Sequence, residues 1–340
     1  MQEPGKDCQG VQSKERSLYH VSTKRILCAD IGGTNSRFGL FEADPTGNLS
    51  VVETQWFRTE EVASFGHLIR LLRESEFQLK PGDADIVVIA VAGPVERGVY
   101  SAPPLIPWDV DLTDALTDYG FKRSILINDF VAQAYATRSI VGQSAREILP
   151  GQIIPGGTVA VIGAGTGLGK AMLVSDSDGR YIAIPSEGAH ASFPFESQEE
   201  FRFQEFLIQE LGEDYITANS VVSGKGLTLI RQFLTGEKLE PKDVLAKCTL
   251  NCETLVWASR FYGRACRNFA LETLSLGGMY ITGGIAAKLP QLVTHDAFSR
   301  EFRSSKTMGR LLAQMPVTLM SDEESGLWGA AFLGQQVVQE

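Results

Sequence analysis

Two segments of the chain share one pattern: an apolar run, a glycine-rich interruption and a second apolar run. In the first, Ile26, Leu27, Cys28 and Ala29 form a run the length of a buried strand. Asp30 breaks it with a charge. Gly32-Gly33 then supplies a turn that accepts positive φ, and Phe38-Gly39-Leu40-Phe41 resumes the strand. In the second, residues 158–174 read TVAVIGAGTGLGKAMLV, again strand, glycine-rich turn and strand. The two lie about 130 residues apart, which predicts two structurally similar halves.

Around these hairpins the periodicity predicts a third strand over 50–58. A helix follows over 62–76, with Phe65, Leu68, Ile69 and Leu72 on one face. Residues 85–93, DIVVIAVAG, read as a strand buried on both faces. A loop with four prolines (Pro94, Pro103, Pro104 and Pro107) ends in Trp108-Asp109. Strand 124–127 then leads into a helix over 130–137. Strand, strand, strand, helix, strand is the order of a ribonuclease-H-like half. In the second half, strand 180–185 precedes helices over 199–211, 223–233, 244–248 and 252–276. Within the last of these, Leu255, Phe261, Cys266, Phe269 and Leu274 are expected inward, and Arg260, Arg264 and Arg267 on a solvated or interface face. A strand runs from 279 into Gly283-Gly284, another spans 317–320, and the closing helix carries Gly326 and Gly329 one turn apart.

Glycine-rich turns rimmed with N–H and O–H donors suit phosphate oxygens, and Asp30 at a strand end can hold a hydrated Mg²⁺. Surface hairpins with ordinary turn chemistry have the same composition. Two phosphate motifs fail on spacing. A Walker loop would need glycine at Ala164 and Ser or Thr at Ala171. A dinucleotide fingerprint would need glycine at Leu168. Asn128-Asp129 stands at the carboxyl end of a strand, where ligands of open α/β sheets bind. Capping of the following helix is the other use of that aspartate. Glu187 and His190, three apart in a loop, are suitable partners for hydroxyl groups, or else a solvated Glu and a packed His.

In sequence, the chain resembles the bacterial glucokinase family of the sugar kinase/actin/Hsp70 superfamily. The resemblance rests on Asp30-Ile31-Gly32-Gly33-Thr34-Asn35 with Arg37, on Gly163-Ala164-Gly165-Thr166-Gly167-Leu168-Gly169, and on Ile127-Asn128-Asp129-Phe130. It continues through Glu187-Gly188-Ala189-His190, Ser223-Gly224-Lys225-Gly226-Leu227, Ile281-Thr282-Gly283-Gly284-Ile285 and Ser325-Gly326-Leu327-Trp328-Gly329-Ala330. It implies an α/β chain of two ribonuclease-H-like domains around a central cleft, with residues 25–139 plus 321–340 in one and 140–320 in the other. It implies transfer of the γ-phosphoryl group of Mg·ATP to the 6-hydroxyl of glucose. Asp129 is then the base, with Asn128, Glu187, His190, Asn219 and Trp108 around the sugar. Gly32, Gly33, Thr34, Asn35, Gly163, Gly165, Thr166 and Gly167 hold phosphates, Gly283 and Gly284 lie against adenosine, and Asp30 holds Mg²⁺ through water. A homodimer is implied as well. Two positions depart from the family pattern. Leu105 replaces an asparagine three residues before the tryptophan, and Asn219 replaces a glutamate five residues before the glycine of S-G-x-G-L. These departures keep open a kinase of a different sugar or sugar derivative on the same fold, or a sugar-binding protein with weak catalysis.

Composition narrows the partners. At 340 residues the chain suits two domains, and 44% hydrophobic with 21% charged residues is ordinary for a globular protein. A net charge of −10 disfavours nucleic acid and anionic membranes as general partners. No apolar run approaches the ~20 residues of a membrane span, and residues 1–24 lack the apolar core of a secretory signal. They are expected to form a polar extension. The five cysteines fit a reducing cytoplasm; Cys248 and Cys252 lack the second pair that zinc would need. An actin- or Hsp70-like ATPase would share the hairpins but not the sugar. A transcriptional regulator on this fold would need a helix-turn-helix extension longer than residues 1–24.

Overall fold

The computed structural model describes residues 23–247 and 252–339. The predicted extension, apart from its last two residues, and Cys248 lie outside the described residues. The first sheet has five strands: β1 (Lys24–Ile31), β2 (Asn35–Ala43), β3 (Leu49–Arg58), β4 (Ile86–Val91) and β7 (Ser124–Asn128), in the order β3-β2-β1-β4-β7. β1, β2 and β3 are antiparallel neighbours; β4 and β7 continue the sheet in parallel with β1. α1 (Phe65–Glu74) covers one face of it, starting one turn later than the pattern predicts, because Ser64 caps it through the His67 N–H. β5 (Tyr100–Ser101) and β6 (Val110–Asp111) form a small hairpin inside the proline-rich loop, and α2 (Ala115–Tyr119) leads to β7.

The second sheet repeats this plan. β9 (Val159–Ala164), β10 (Leu168–Ser175) and β11 (Tyr181–Ser186) are antiparallel, and β12 (Met279–Thr282) and β13 (Val317–Leu319) add in parallel. β8 (Arg146–Leu149) closes the far edge beside β13, giving the order β11-β10-β9-β12-β13-β8. The duplication expected from the two hairpins is thus present strand for strand, with one strand added.

Side-chain alternation builds three layers of core. Leu27, Ala29, Ile31, Val87 and Ile89 face Phe65, Leu68, Ile69 and Leu72 of α1. The opposite faces, Ile26, Cys28 and Val88 of the first sheet and Val159, Val161 and Leu173 of the second, share a single cluster. Between them run α3 (Asp129–Ala136), through Val131, Ala134 and Tyr135, and α14 (Ser325–Val338), through Leu327, Ala330 and Ala331. β4 is buried throughout, as its unbroken apolar run requires. The second sheet's other face packs on α5 (Gln198–Leu211), α7 (Gly224–Thr235) and α9 (Glu253–Thr273). The shorter helices are α4 (Ile140–Gln143), α6 (Ala218–Val221), α8 (Pro241–Lys247), α10 (Gly284–Lys288), α11 (Gln291–Thr294), α12 (Asp296–Phe302) and α13 (Gly309–Leu312).

The close pairing of α3 with α14 depends on Gly329, where a Cβ would clash with the carbonyl oxygen of Ala132 and approach the Ala136 nitrogen. Backbone cannot move aside as a flexible side chain can. Gly329→Ala is therefore expected to lower unfolding free energy by ~1–3 kcal/mol, the range of overpacked cores, as read by urea denaturation.

Two expectations for α9 fail. Leu274 is not inward: it ends the helix at φ 47° and is 52% exposed. Arg264 and Arg267 do not form a solvated face. Both are buried against carboxylates of α5 and α12, Glu200 and Glu301 among them.

Candidate active site

The first hairpin closes with the Gly32 N–H donating to the Asn35 carbonyl at 2.9 Å. Thr34 stands exposed at its tip, whereas Ser36 turns inward to Thr59 at 2.9 Å. Thr59 in turn donates to the Gly32 carbonyl. The second hairpin closes at Gly165 N–H to the Gly167 carbonyl, 2.7 Å, and the Gly165 carbonyl accepts from the Gly224 N–H at the start of α7. Gly163 and Gly283 sit where a Cβ would strike backbone of the neighbouring segment, so β9 and the β12–α10 turn can approach closely.

The tips of both hairpins border one cavity of about 900 Å³. Asp30, Gly32, Gly33, Thr34 and Asn35 line one wall; Gly165, Thr166, Gly224 and Gly284 line another. Lys225, Thr228, Lys242 and Lys288 also line it, and sequence reasoning assigned them no role. Lys225 lies in a quoted motif and could have been found. Lys242 and Lys288 carry no local signal that separates them from the chain's other lysines.

Asp30, next to last in β1, lies opposite Arg37, whose guanidinium is 3.5 Å from its carboxylate and 4.1 Å from the centre of the Trp56 ring. Arg37 also donates to the Glu323 carbonyl. Burial raises the Asp30 pKa and the Arg37 charge partly offsets it. Gly326 at the head of α14 packs so closely on this carboxylate that a Cβ would meet Asp30 Oδ2.

Asn128, not Asp129, caps α3: its amide oxygen accepts from the Phe130 and Val131 N–H groups. Its amide nitrogen donates to the Gly93 carbonyl at 3.0 Å, which leaves one N–H available. The aspartate stands at the first helical position, where its Oδ1 shares the Phe130 N–H with Asn128 and its second oxygen has no part in the cap. There its pKa is pushed up to about 7, chiefly by burial and then by the negative charge of Asp30, with the Phe130 N–H pulling the other way. Glu187 adds a smaller upward push.

Glu187 and His190 are exposed, with His190 Nε2 3.8 Å from Glu187 Oε2. Two other predicted sugar residues have protein partners. Trp108 is buried against Phe65, and its indole N–H donates to the Val62 carbonyl at 2.9 Å, so its polar edge is occupied. Asn219 accepts from the Leu168 N–H at 2.7 Å and lies behind Gly167. Its amide oxygen braces the second hairpin. Leu105 is exposed and its carbonyl packs against Gly33.

A single Asp30 beside glycine-rich turns fits Mg²⁺, which usually takes one or two carboxylates and completes its octahedron with other oxygen ligands and water. Among the described residues no group of three or more His, Cys, Asp or Glu forms a dedicated cage. No described helix is long and apolar enough to cross a membrane.

A glucokinase family profile matches residues 27–337. The glucokinase of Pectobacterium atrosepticum is 32% identical over 327 residues, covering 93% of this chain and 98% of that one. The glucokinase of Yersinia pestis strain Pestoides F is 33% identical over 330 residues, covering 94% and 99%. The crystal structure of a glucokinase from an Antarctic psychrotroph superposes with a TM-score of 0.77 at 28% identity, covering 91% of this chain and 98% of that one. With that coverage, and with two duplicated sheets whose hairpins meet at one cleft, the chain belongs to the glucokinase family of the sugar kinase/actin/Hsp70 fold.

Proposed function

We propose that this protein transfers the γ-phosphoryl group of ATP to the 6-hydroxyl of glucose, giving glucose 6-phosphate. The observation that carries the reading is Asp129: a half-buried carboxylate at the first position of α3, whose cap Asn128 supplies, with its pKa pushed up to about 7 by burial and by the charge of Asp30. Its relatives at about a third identity are named glucokinases.

Phosphoryl transfer is chiefly positioning and charge stabilisation. Thr34, Asn35, Thr166 and the N–H groups of both hairpins hold the phosphates, while Gly283 and Gly284 border the nucleoside. Magnesium, held by Asp30 through water, would neutralise charge on the phosphate oxygens. Asp129 takes the proton of the sugar hydroxyl as the new bond forms. The free N–H of Asn128, with Glu187 and His190, orients the other hydroxyls. Trp108 and Asn219 act indirectly, by ordering the proline-rich loop and the second hairpin. Closure of a domain of residues 25–139 plus 321–340 on one of 140–320 excludes water and limits futile hydrolysis. Cytoplasmic residence and a homodimeric assembly belong to the same proposal and rest on family membership; light scattering checks the second.

The direct test is a coupled ADP assay across hexoses, hexosamines and small acids. Glucose is expected to stimulate ADP release most, and release independent of any sugar would overturn the reading. The pH profile is a second check. A base must be deprotonated, and the Asp129 pKa is raised to about 7. The kcat/KM for glucose is therefore expected to fall tenfold per pH unit on the acid side of that value and to level off above it. A limb with its midpoint at the ordinary carboxylate pKa would remove Asp129 from the role.

A further inference from the structure

Lys170 follows the second hairpin directly, yet it does not line the nucleotide cavity. Its side chain is turned inward and only 5% of it is exposed. Across the ladder it pairs with Ser186, the residue before Glu187. Its ammonium donates to the Gly188 carbonyl at 3.3 Å and lies 5.0 Å from the centre of the Phe269 ring on α9. The Gly188 N–H is held by Ser186 Oγ at 3.1 Å. Both polar groups of the residue between Glu187 and Ala189 are thus tied to the end of the β10–β11 ladder. No carboxylate lies within ion-pair distance of Lys170 among the described residues; Glu272 and Cys266 act on it only at longer range. Burial of an ammonium on one carbonyl and one ring face is an expensive way to stabilise a strand, since an apolar side chain would fill the same space without desolvating a charge.

We infer that Lys170 is a positioning residue for the sugar: it clamps the Gly188 carbonyl so that Glu187 and His190 project at a fixed height, and it joins that loop to the second phosphate hairpin one residue away. The inference rests on the proposal that this loop holds the sugar. It predicts an effect confined to the acceptor side.

The test compares K170M, K170R and E187Q by separate KM values for glucose and ATP and by kcat. K170M keeps the contact with Phe269 and loses the donor. Its KM for glucose is expected to rise about tenfold or more, the size of one charge-assisted hydrogen bond, with the KM for ATP within about twofold of wild type. K170R, which keeps a donor and the charge, is expected to recover part of that loss. Equal rises in both KM values, or an unchanged glucose KM in K170M while E187Q raises it, would overturn the positioning role alone. An unchanged glucose KM in E187Q would instead overturn the sugar-loop reading and the inference with it. If K170M fails to fold by circular dichroism, K170Q, which retains a donor, is compared with K170A by the same constants: a lower glucose KM in K170Q supports the clamp, and identical values overturn it.

Discussion

Asp129→Ala is expected to lower kcat at least ~10²-fold while glucose still binds, because general-base removal costs that much when positioning survives. The substitution leaves the α3 cap intact, since Asn128 supplies it. It removes a negative charge beside Asp30 and a carboxylate that burial holds near neutrality. Asp129→Asn is the sharper variant, because its amide oxygen can still accept from the Phe130 N–H as Asp129 Oδ1 does at 3.0 Å. Its loss should be as large as that of the alanine variant if proton acceptance is the role, and small if the carboxylate only organises the loop. Glucose binding is read separately, by the rise in thermal midpoint on adding sugar without ATP. Near-normal turnover in both variants would take the base assignment away.

The second large effect concerns stability. Arg264→Ala is expected to cost ~3–5 kcal/mol, the range for breaking a buried ion pair from one side. Arg264 is 1% exposed and its guanidinium is fully engaged. Nη1 and Nη2 donate to the two oxygens of Glu200 at 2.5 and 3.1 Å, Nε donates to Glu301 at 2.8 Å, and Nη1 also reaches the Pro194 carbonyl. Arg267 joins Glu301 to Glu196, and Arg260 approaches Glu200 at 3.2 Å. Burial opposes the charge of Arg264, but its bonds to Glu200 and Glu301 win and raise its pKa. Burial likewise works to raise the Glu200 pKa, and Arg264 with the Glu196 N–H overrides it, so the net shift is downward. A carboxylate depressed in the folded state contributes stability that is complete above its unfolded pKa and is lost as pH falls through the lower folded value. The network should therefore fail only in acid. Removing Arg264 leaves Glu200 buried with Arg260 as its remaining cation. The double variant Arg264→Met/Glu200→Leu should recover much of the loss, because no charge is then stranded. None of these residues lines the cavity between the two hairpins, so kcat of the folded Arg264→Ala protein should stay close to wild type. Unfolding free energy by urea denaturation measures the first effect, and an unchanged value would mean that solvent replaces the guanidinium.

Much of the architecture was legible in the chain because it is locally encoded. β4 needed only an unbroken apolar run, and the two hairpins needed only glycines between strand-forming runs. Their repetition, about 130 residues apart, foretold the duplicated sheets. Asp129 could be found because strand ends are where α/β sheets bind ligands, and Gly326 and Gly329 because small residues one turn apart permit close approach. The errors share a cause. Arg264 looked solvated because its partners Glu200 and Glu301 lie 64 and 37 residues away. For the same reason the partners of Trp108 and Asn219, Val62 and Leu168, 46 and 51 residues distant, were hidden in the sequence.

By itself, then, the order of residues determined most of the strands, where the glycine-rich turns fall, that the halves repeat, and which carboxylate ends up at a helix start beside a strand. The tertiary structure alone decided which helix face is dry, which polar side chains already have protein partners, and that Lys170 points at the Gly188 carbonyl. Strand, turn and cap preferences arise among residues a few positions apart, so a linear pattern carries them. Hydrogen-bond satisfaction and desolvation depend on neighbours brought together from distant segments, and they take their values only when the two sheets close around α3 and α14.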